Sequence, residues 1–226
     1  MAKKNRELMI SGRGRACSVP LIKIKKKAVF ITVEGLEGSG KSSVIEFMEK
    51  LFKQKKLSVK VFREPGSTSV GEKIRQILLD NKNKELSVHT ELLLYLAART
   101  QLIEEKLIKA LAKYAVVVCD RFFDSTLVYQ GFALGLGEIV NKSVEMFSLG
   151  IKPDFTIYLD VAPKQGLARI KNKDRIEERS IVFHQRLRKG YLQLAKNNPK
   201  RINVINATVS LDQIFDNVEK IIDEIL

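Results

Sequence analysis

The chain has 226 residues, of which 45% are hydrophobic and 29% charged, an ordinary globular composition that excludes bulk disorder and fibrous proteins. Its formal net charge is +14, and residues 1–27 account for +8 of it, since they hold nine Lys or Arg residues and one acidic residue. Cys17 and Cys119 form no disulfide framework, which suits a reducing cytosol, no Cys/His cluster has metal-ligand spacing, and no apolar run reaches the ~18 residues of a membrane span.

Residues 1–27 form a basic leader that precedes the regular part of the sequence. The leader contains Gly12, Gly14 and Pro20, and it shows neither helical nor strand periodicity before Leu21, so we interpret it as a disordered arm. It lacks the hydrophobic region of a secretory signal. Two interpretations stay open, namely a solvated tail and a tether used for targeting or for weak contact with nucleic acid.

From residue 28 to residue 226, strand patterns alternate with helical patterns. Short β-branched runs predict strands at 28–34, 58–62, 115–119, 155–159 and 202–205. Helical spacing predicts helices at 41–54, 69–80, 90–113, 124–131, 138–149, 163–170, 181–195 and from 210 to the C-terminus. Capping boxes at Ser69 with Glu72 and at Ser210 with Gln213 mark two helix starts. The alternation predicts an α/β fold, a single domain with a doubly wound, five-stranded parallel sheet flanked by helices.

The segment after the first predicted strand matches the phosphate-loop pattern G-x-x-x-x-G-K-S. Its residues are Gly35, Leu36, Glu37, Gly38, Ser39, Gly40, Lys41 and Ser42. The glycines let successive backbone N–H groups face phosphate oxygens, and the helix that follows adds its positive end. Lys41 supplies charge to the β- and γ-phosphates, and the Ser42 hydroxyl is a ligand for Mg²⁺. This segment therefore predicts an ATP-binding P-loop protein.

Charged residues follow the second and third predicted strands, at the edge of the sheet where ligands bind. Asp120 can hold Mg²⁺ opposite Ser42, and a helix N-cap is its alternative role. Arg63 and Arg121 carry planar guanidinium groups, which bind phosphate through two parallel hydrogen bonds. A GTPase is not indicated, because neither 81–84 nor 172–174 completes the N-K-x-D pattern.

Several segments in order along the chain resemble the bacterial thymidylate kinase family of P-loop nucleoside monophosphate kinases. They are FITVEGLEGSGKSS at 30–43, FREPGST at 62–68, ELLLYLAART at 91–100, DRFFDSTLVYQG at 120–131, PDFTIYLDV at 153–161 and GLARIKNKDRIEE at 166–178. The resemblance spans nearly everything but the leader. It implies transfer of the ATP γ-phosphoryl group to dTMP, with Mg²⁺, giving dTDP and ADP, in a cytoplasmic homodimer that handles small nucleotides.

The resemblance also implies roles for particular side chains. Arg63 and Arg121 would hold the dTMP phosphate, and the Glu37 carboxylate would face the sugar 3′-hydroxyl and the reacting phosphates. The implied contacts to the nucleoside are Tyr95 stacking on the base, Arg99 at a carbonyl oxygen, Thr126 and Gln130 in the same pocket, and Tyr129 against the 2′ position. From spacing alone, Tyr95 would be a core residue and Arg99 a residue on a solvated helix face.

A basic segment at about 163–178 is the implied lid. The phosphate loop has no arginine, and in the bacterial type the lid supplies the cation that neutralises the transferred phosphoryl group. We expect Arg169 to have this role, because Lys171 and Lys173, at positions that often carry Arg, give charge without a planar fork. The family also usually has Gly-Gly where this chain has Gly66-Ser67, and Phe where it has Tyr95.

Two alternatives remain at this point. The first is another nucleoside or nucleotide kinase, because the choice of base depends on a few pocket side chains. The second is a P-loop protein that binds nucleic acid through the leader. The body of the chain offers no identifiable basic face with interleaved aromatic residues, which disfavours the second alternative.

Overall fold

The structure, a computed structural model, describes residues 28–226, so the predictions made for the leader at 1–27 and for Cys17 lie outside the described residues. Residues 28–226 form one sheet of five parallel strands in the order β2-β3-β1-β4-β5. The strands are β1 (Val29–Gly35), β2 (Val59–Arg63), β3 (Val116–Asp120), β4 (Phe155–Asp160) and β5 (Ile202–Asn206). The helices are α1 (Lys41–Gln54), α2 (Ser69–Leu79), α3 (Val88–Leu102), α4 (Ile108–Lys113), α5 (Phe123–Thr126), α6 (Gly137–Phe147), α7 (Pro163–Ala168), α8 (Ile181–Asn197) and α9 (Leu211–Ile225). The predicted doubly wound parallel sheet is confirmed.

The central strand β1 sends alternate side chains into two cores, one on each face of the sheet. Ile31 and Val33 pack in a core that also contains residues of α1, α8 and α9. Phe30 packs in a second core, with residues of α3, α4 and α6. Cys119 belongs to the second core, and burial raises the pKa of its thiol, so it is a packing residue. Because helices cover both faces of the sheet, the sequence of β1 is a nearly continuous run of apolar residues instead of an alternating pattern.

The capping box predicted at Ser69 is wrong, whereas the one at Ser210 with Gln213 is confirmed. Thr68 caps α2, since its hydroxyl oxygen accepts a hydrogen bond from the backbone N–H of Gly71 at 2.9 Å. The Glu72 carboxylate accepts instead from the backbone N–H of Ser67 at 2.7 Å. The N-cap of α2 is therefore Thr68, one residue before the N-cap that the sequence pattern predicts.

Two helical stretches contain π-helical turns that the 3.6-residue period does not predict. The first, Ile103–Leu107, joins α3 to α4 inside the helix predicted at 90–113. The second, Leu127–Ala133, continues α5 and contains Tyr129 and Gln130. Such turns are frequent at functional sites, because the extra residue redirects nearby side chains.

Within residues 28–226, every helix is too short or too polar to cross a membrane. The predicted strands and helices otherwise agree with the structure to within a few residues at their ends. The largest differences concern α7, which ends at Ala168, and α8, which extends to Asn197.

Candidate active site

A cavity lies beyond the carboxyl ends of β1, β2 and β3, where a doubly wound sheet binds its ligands. The predicted site residues that line it are Glu37, Gly38, Lys41, Ser42, Arg63, Tyr95, Arg99, Asp120, Arg121, Thr126, Tyr129 and Gln130. The predicted residues outside its lining are Gly35, Leu36, Ser39, Gly40 and Arg169. The fold therefore brings most of the predicted residues together, from segments as far apart as 37 and 130.

The phosphate loop runs from β1 into α1 and holds its lysine in place. Lys41 Nζ donates hydrogen bonds to the carbonyl oxygens of Gly35 at 3.1 Å and Leu36 at 3.0 Å. Burial, together with the nearby Arg121 guanidinium, lowers the pKa of Lys41 to about 8. The ammonium group therefore lies in a confined place beside a second cation, where a phosphate anion would compensate the positive charge.

Helix α7 packs directly against the phosphate loop. A Cβ on Gly38, whose φ is 71°, would collide with the carbonyl oxygen of Gly166, and a Cβ on Gly166 would collide with the carbonyl oxygen of Glu37. Arg169 Nη1 donates to the carbonyl oxygen of Gly38 at 3.0 Å. Arg169 thus contacts the phosphate loop without lining the cavity, whereas Asp174 and Glu177, further along the chain, do line it.

Arg121 lies at the centre of a buried group of polar side chains. Its Nη2 donates to Glu37 Oε1 at 3.0 Å, and the Tyr129 hydroxyl donates to the same oxygen at 2.6 Å. Its Nη1 contacts Ser125 Oγ at 3.2 Å and the Tyr191 hydroxyl at 3.3 Å. The guanidinium carbon lies 5.2 Å from the centroid of the Tyr129 ring. These contacts fix both the position and the plane of the guanidinium.

Glu34 is a functional-site residue that the sequence analysis missed. Its fully buried carboxylate accepts hydrogen bonds from the backbone N–H of Phe122 at 2.8 Å, from Ser125 Oγ at 2.6 Å and from the Tyr191 hydroxyl at 2.8 Å. Burial raises the pKa of Glu34, although Arg121, 4.0 Å away, opposes this effect. Glu34 supports Arg121 from beneath the cavity.

Glu37 presents an ionised carboxylate to the cavity. Burial raises its pKa, but His184, Arg121 and Lys41 together outweigh burial, so the pKa lies well below its usual range. His184 Nδ1 is 3.6 Å from Glu37 Oε2, beyond the usual length of a hydrogen bond. The Glu37 carboxylate thus lies among two cations, Arg121 and Lys41, the His184 ring and the Tyr129 hydroxyl.

Arg99 is buried, with 2% of its surface exposed, so the surface position expected from spacing alone is wrong. Its Nε donates to Glu64 Oε2 at 2.8 Å, and its Nη2 donates to Thr126 Oγ1 at 2.8 Å. Its Nη1 is buried without a protein partner. Burial raises the pKa of Glu64 to about 7, against the opposing effect of Arg99. An unpaired buried donor beside Tyr95 suits a carbonyl oxygen of a bound base.

Two arginines near the end of β2 line the cavity, and the sequence predicted only Arg63. Arg63 is half-exposed and pairs with Glu72, with Nη2 at 2.8 Å and 2.9 Å from the two carboxylate oxygens. Arg75, which the sequence analysis missed, also lines the cavity, and burial lowers the pKa of its guanidinium. Arg75 lies on the amphipathic helix α2, and the spacing of polar residues along this helix is typical of an exposed position at 75.

Ser67, where the family usually has a second glycine, adopts a left-handed φ of 64°. This conformation costs about 1–2 kcal/mol for a residue with a Cβ. The Ser67 hydroxyl oxygen accepts a hydrogen bond from the backbone N–H of Arg63 at 2.8 Å, which offsets part of that cost. The departure from Gly-Gly therefore preserves the turn that follows β2.

Ser42 and Asp120 face the same cavity and fit a magnesium ion. One carboxylate oxygen of Asp120, Oδ1, is buried without a hydrogen-bond partner. Over residues 28–226, no three His, Cys, Asp or Glu side chains cluster as a metal cage. Mg²⁺ needs no such cage, because it commonly uses one or two protein oxygens together with water and substrate phosphates.

Several known proteins are similar to this chain over most of its length. A family model described as thymidylate kinase matches residues 33–218. A thymidylate kinase of Thermoanaerobacter sp. is 42% identical over 203 residues, covering 88% of this chain and 100% of that protein. A thymidylate kinase of Enterococcus faecalis is 44% identical over 197 residues, covering 84% of this chain and 93% of that protein.

A solved structure shows the same similarity in three dimensions. The crystal structure of thymidylate kinase from Ehrlichia chaffeensis matches with a TM-score of 0.69 and 28% sequence identity. The match covers 86% of this chain and 98% of that chain.

Proposed function

Since the chain belongs to the thymidylate kinase family, we propose how the residues around its cavity carry out the reaction of that family. The protein is a nucleoside monophosphate kinase that phosphorylates dTMP to dTDP with ATP as the phosphate donor, as the sequence motifs predict. We place the reaction in the cytoplasm, where both nucleotides are available. The observation that supports the assignment best is the single cavity that joins the phosphate loop, the arginines after β2 and β3, and the pocket of Arg99.

The two substrates would approach each other with their phosphates between two groups of cations. The phosphate loop of 35–42 binds the ATP phosphates, with Lys41 at the β- and γ-phosphates. The phosphate of dTMP is held by Arg121, Arg63 and Arg75. When Arg63 binds this phosphate, its ion pair with Glu72 breaks. The acceptor is already a nucleophilic dianion, so catalysis consists of alignment and of neutralising the charge spread over the transferred group.

Ser42 and Asp120 would hold Mg²⁺ in this site, Asp120 through its unpartnered carboxylate oxygen. The ion, when bound, neutralises charge on the β- and γ-phosphates of ATP. Arg169 would add a further cation near the ATP phosphates, since it already contacts Gly38 of the phosphate loop. We propose that the lid at 163–178 brings Arg169 to the transferred phosphoryl group.

The pocket of Arg99 would bind the thymine base and the deoxyribose. Tyr95 stacks on the base, the unpartnered Nη1 of Arg99 donates to a carbonyl oxygen, and Gln130 contacts the base edge. Tyr129, held by its hydrogen bond to Glu37, crowds the 2′ position and disfavours ribose. The Glu37 carboxylate faces the 3′-hydroxyl of the sugar.

An acceptor screen with Mg-ATP tests the assignment of substrate. The enzyme should phosphorylate dTMP with a kcat/KM at least about 100-fold above that for dCMP or unphosphorylated thymidine. Phosphorylation of dCMP or thymidine with dTMP inert would show that another nucleotide or nucleoside is the acceptor.

Replacing Arg99 by alanine should mainly raise the KM for dTMP. The guanidinium contributes charge-assisted hydrogen bonds in a buried pocket, so we expect an increase of about 30–300-fold, with kcat and the KM for ATP changed less than about threefold. Steady-state kinetics, measured well below the melting temperature of the variant, checks this prediction. A change confined to the KM for ATP would contradict the position we assign to Arg99.

We propose a homodimer formed through α3 and α6. These two helices pack against each other, and they expose the large apolar side chains of Leu93, Ile139 and Met146, with Leu93 61% exposed. Burial of such side chains favours association. Light scattering should give twice the chain mass for the wild type and a lower mass for Leu93→Glu. Leu211→Glu, at an exposed apolar position on α9, should remain dimeric, and a monomeric wild type would refute the proposal.

A further inference from the structure

Glu91 carries a fully buried carboxylate that none of the roles described so far uses. It lies in the first turn of α3, one turn before Tyr95. Its Oε2 accepts hydrogen bonds from Arg175 Nη2 at 2.7 Å and Arg179 Nη2 at 2.6 Å. Its Oε1 accepts from Gln130 Nε2 at 2.9 Å. One carboxylate therefore connects a segment next to α8 with the base pocket.

Both arginines belong to the segment whose residues Asp174, Ile176 and Glu177 line the cavity. Arg175 is 6% exposed, and its Nε donates to the carbonyl oxygen of Leu78 at 2.7 Å. Its backbone N–H donates to the carbonyl oxygen of Leu79 at 3.2 Å. The segment from 174 to 179 is thus attached to the end of α2 and the start of α3. Two cations compensate the buried charge of Glu91, which makes a carboxylate stable at this position.

The carboxylate dictates the direction in which the Gln130 amide points. A carboxylate can only accept hydrogen bonds, so Gln130 must turn its NH₂ group toward Glu91. The carbonyl oxygen of the same amide then remains for the cavity that Gln130 lines. A carbonyl oxygen in the base pocket is an acceptor, and thymine offers N3–H as a donor. Cytosine instead has an unprotonated N3, so two acceptors would face each other.

We propose that Glu91 is a positioning residue that sets base specificity by fixing the orientation of Gln130, with the lid arginines Arg175 and Arg179 holding it in place. This inference rests on the proposed placement of the base beside Gln130. Leaving a buried acceptor without a donor is unfavourable enough to separate thymine from cytosine by about one to two orders of magnitude. Selection between the two pyrimidines would then depend on a residue that touches neither of them.

The variant Glu91→Gln tests the proposal because it reverses the polarity of one hydrogen bond. Arg175 and Arg179 are obligate donors, so they will take the carbonyl oxygen of the new amide. Its NH₂ group then faces Gln130 and turns that amide over, which places a donor opposite N3 of the base. We expect the ratio of kcat/KM for dTMP to kcat/KM for dCMP to fall at least about tenfold, with an absolute gain for dCMP.

Two further variants separate positioning from stability. Arg179→Lys keeps a cation against the Glu91 carboxylate, so it should keep the dTMP to dCMP ratio within about twofold. Lys84→Ala removes an exposed ion pair with Glu178 at the same junction and should also keep the ratio. If Glu91→Gln does not fold, the charge-balanced double variant E91Q/R179Q replaces it, because it removes one buried charge of each sign.

The outcomes distinguish this inference from the proposed function. A wild type that prefers dTMP, combined with an unchanged ratio in a folded E91Q or E91Q/R179Q, overturns the role of Glu91 alone. A parallel loss for dTMP and dCMP in these variants also overturns it, because that result indicates structural support only. A wild type without preference for dTMP would contradict the proposed function itself.

Discussion

Replacing Lys41 by alanine should lower kcat for phosphoryl transfer at least about 1000-fold and leave the fold intact. In the proposed complex the Lys41 ammonium group lies at the transferred phosphoryl group, and loss of a preorganised charge there typically costs about two to three orders of magnitude or more. Stability should change little, because Lys41 donates only to the carbonyl oxygens of Gly35 and Leu36 in the free protein. A coupled assay for ADP, together with a thermal melt, measures both effects.

Lys50→Ala is the matched control for this variant. Lys50 lies on the same helix, α1, and its exposed side chain pairs with Glu46 at 2.8 Å. Exposed pairs of this kind contribute about 0.3–0.5 kcal/mol, so kcat should stay within about twofold of the wild type. Near-normal turnover by Lys41→Ala would mean that the phosphate loop does not bind the reacting phosphates of ATP.

The fold followed from local patterns because strand burial on both faces leaves a continuous apolar signal. The segments 28–34, 115–119 and 155–159 stand out for that reason, whereas the edge strands β2 and β5 are partly exposed. Alternation with helices then leaves a parallel sheet as the simple solution. Features that depend on long-range packing were not predictable in the same way. The cap at Thr68 is one example, since Glu72 is drawn away toward Ser67 and Arg63.

The candidate site likewise contains residues that local motifs predict and residues that only long-range packing brings together. The phosphate loop and the arginines after β2 and β3 could be found because motifs place them at the ends of strands. Glu34 and Tyr191, which together support Arg121, are 157 residues apart. Glu34 stands in a matching segment that gives it no role, and Tyr191 lies outside every matching segment. Glu91 and Arg175 are 84 residues apart and look like ordinary helix and loop charges in the sequence. Only the packed structure shows that these charges are buried and paired.

The site therefore consists of cations that face the cavity and of carboxylates that hold these cations in position. Lys41, Arg121 and Arg99 face the cavity, and carboxylates behind or beside them fix their positions. Glu34 supports Arg121, and Glu64 supports Arg99. Buried cations of this kind resist reorientation, so much of the catalytic geometry exists before the substrates bind.

Replacing Arg121 by alanine should lower kcat/KM for dTMP at least about 1000-fold. In the proposed complex the guanidinium binds the acceptor phosphate, and it also contacts Glu37, Ser125 and Tyr191, so its loss would remove both a phosphate ligand and the alignment of Glu37. The variant also leaves the buried Glu34 without its nearest cation, which should reduce the free energy of unfolding by about 3–5 kcal/mol. Kinetics below the melting temperature and chemical denaturation measure the two effects separately.

Arg121→Lys distinguishes charge from geometry at this position. A lysine keeps one positive charge but loses the planar fork, so kcat/KM should recover to about 10–100-fold below the wild type. Arg186→Ala, an exposed arginine on α8, should retain the wild-type value and serves as the control. If Arg121→Ala kept a normal kcat/KM for dTMP, the acceptor phosphate could not lie against this guanidinium, and Arg63 with Arg75 would have to bind it alone.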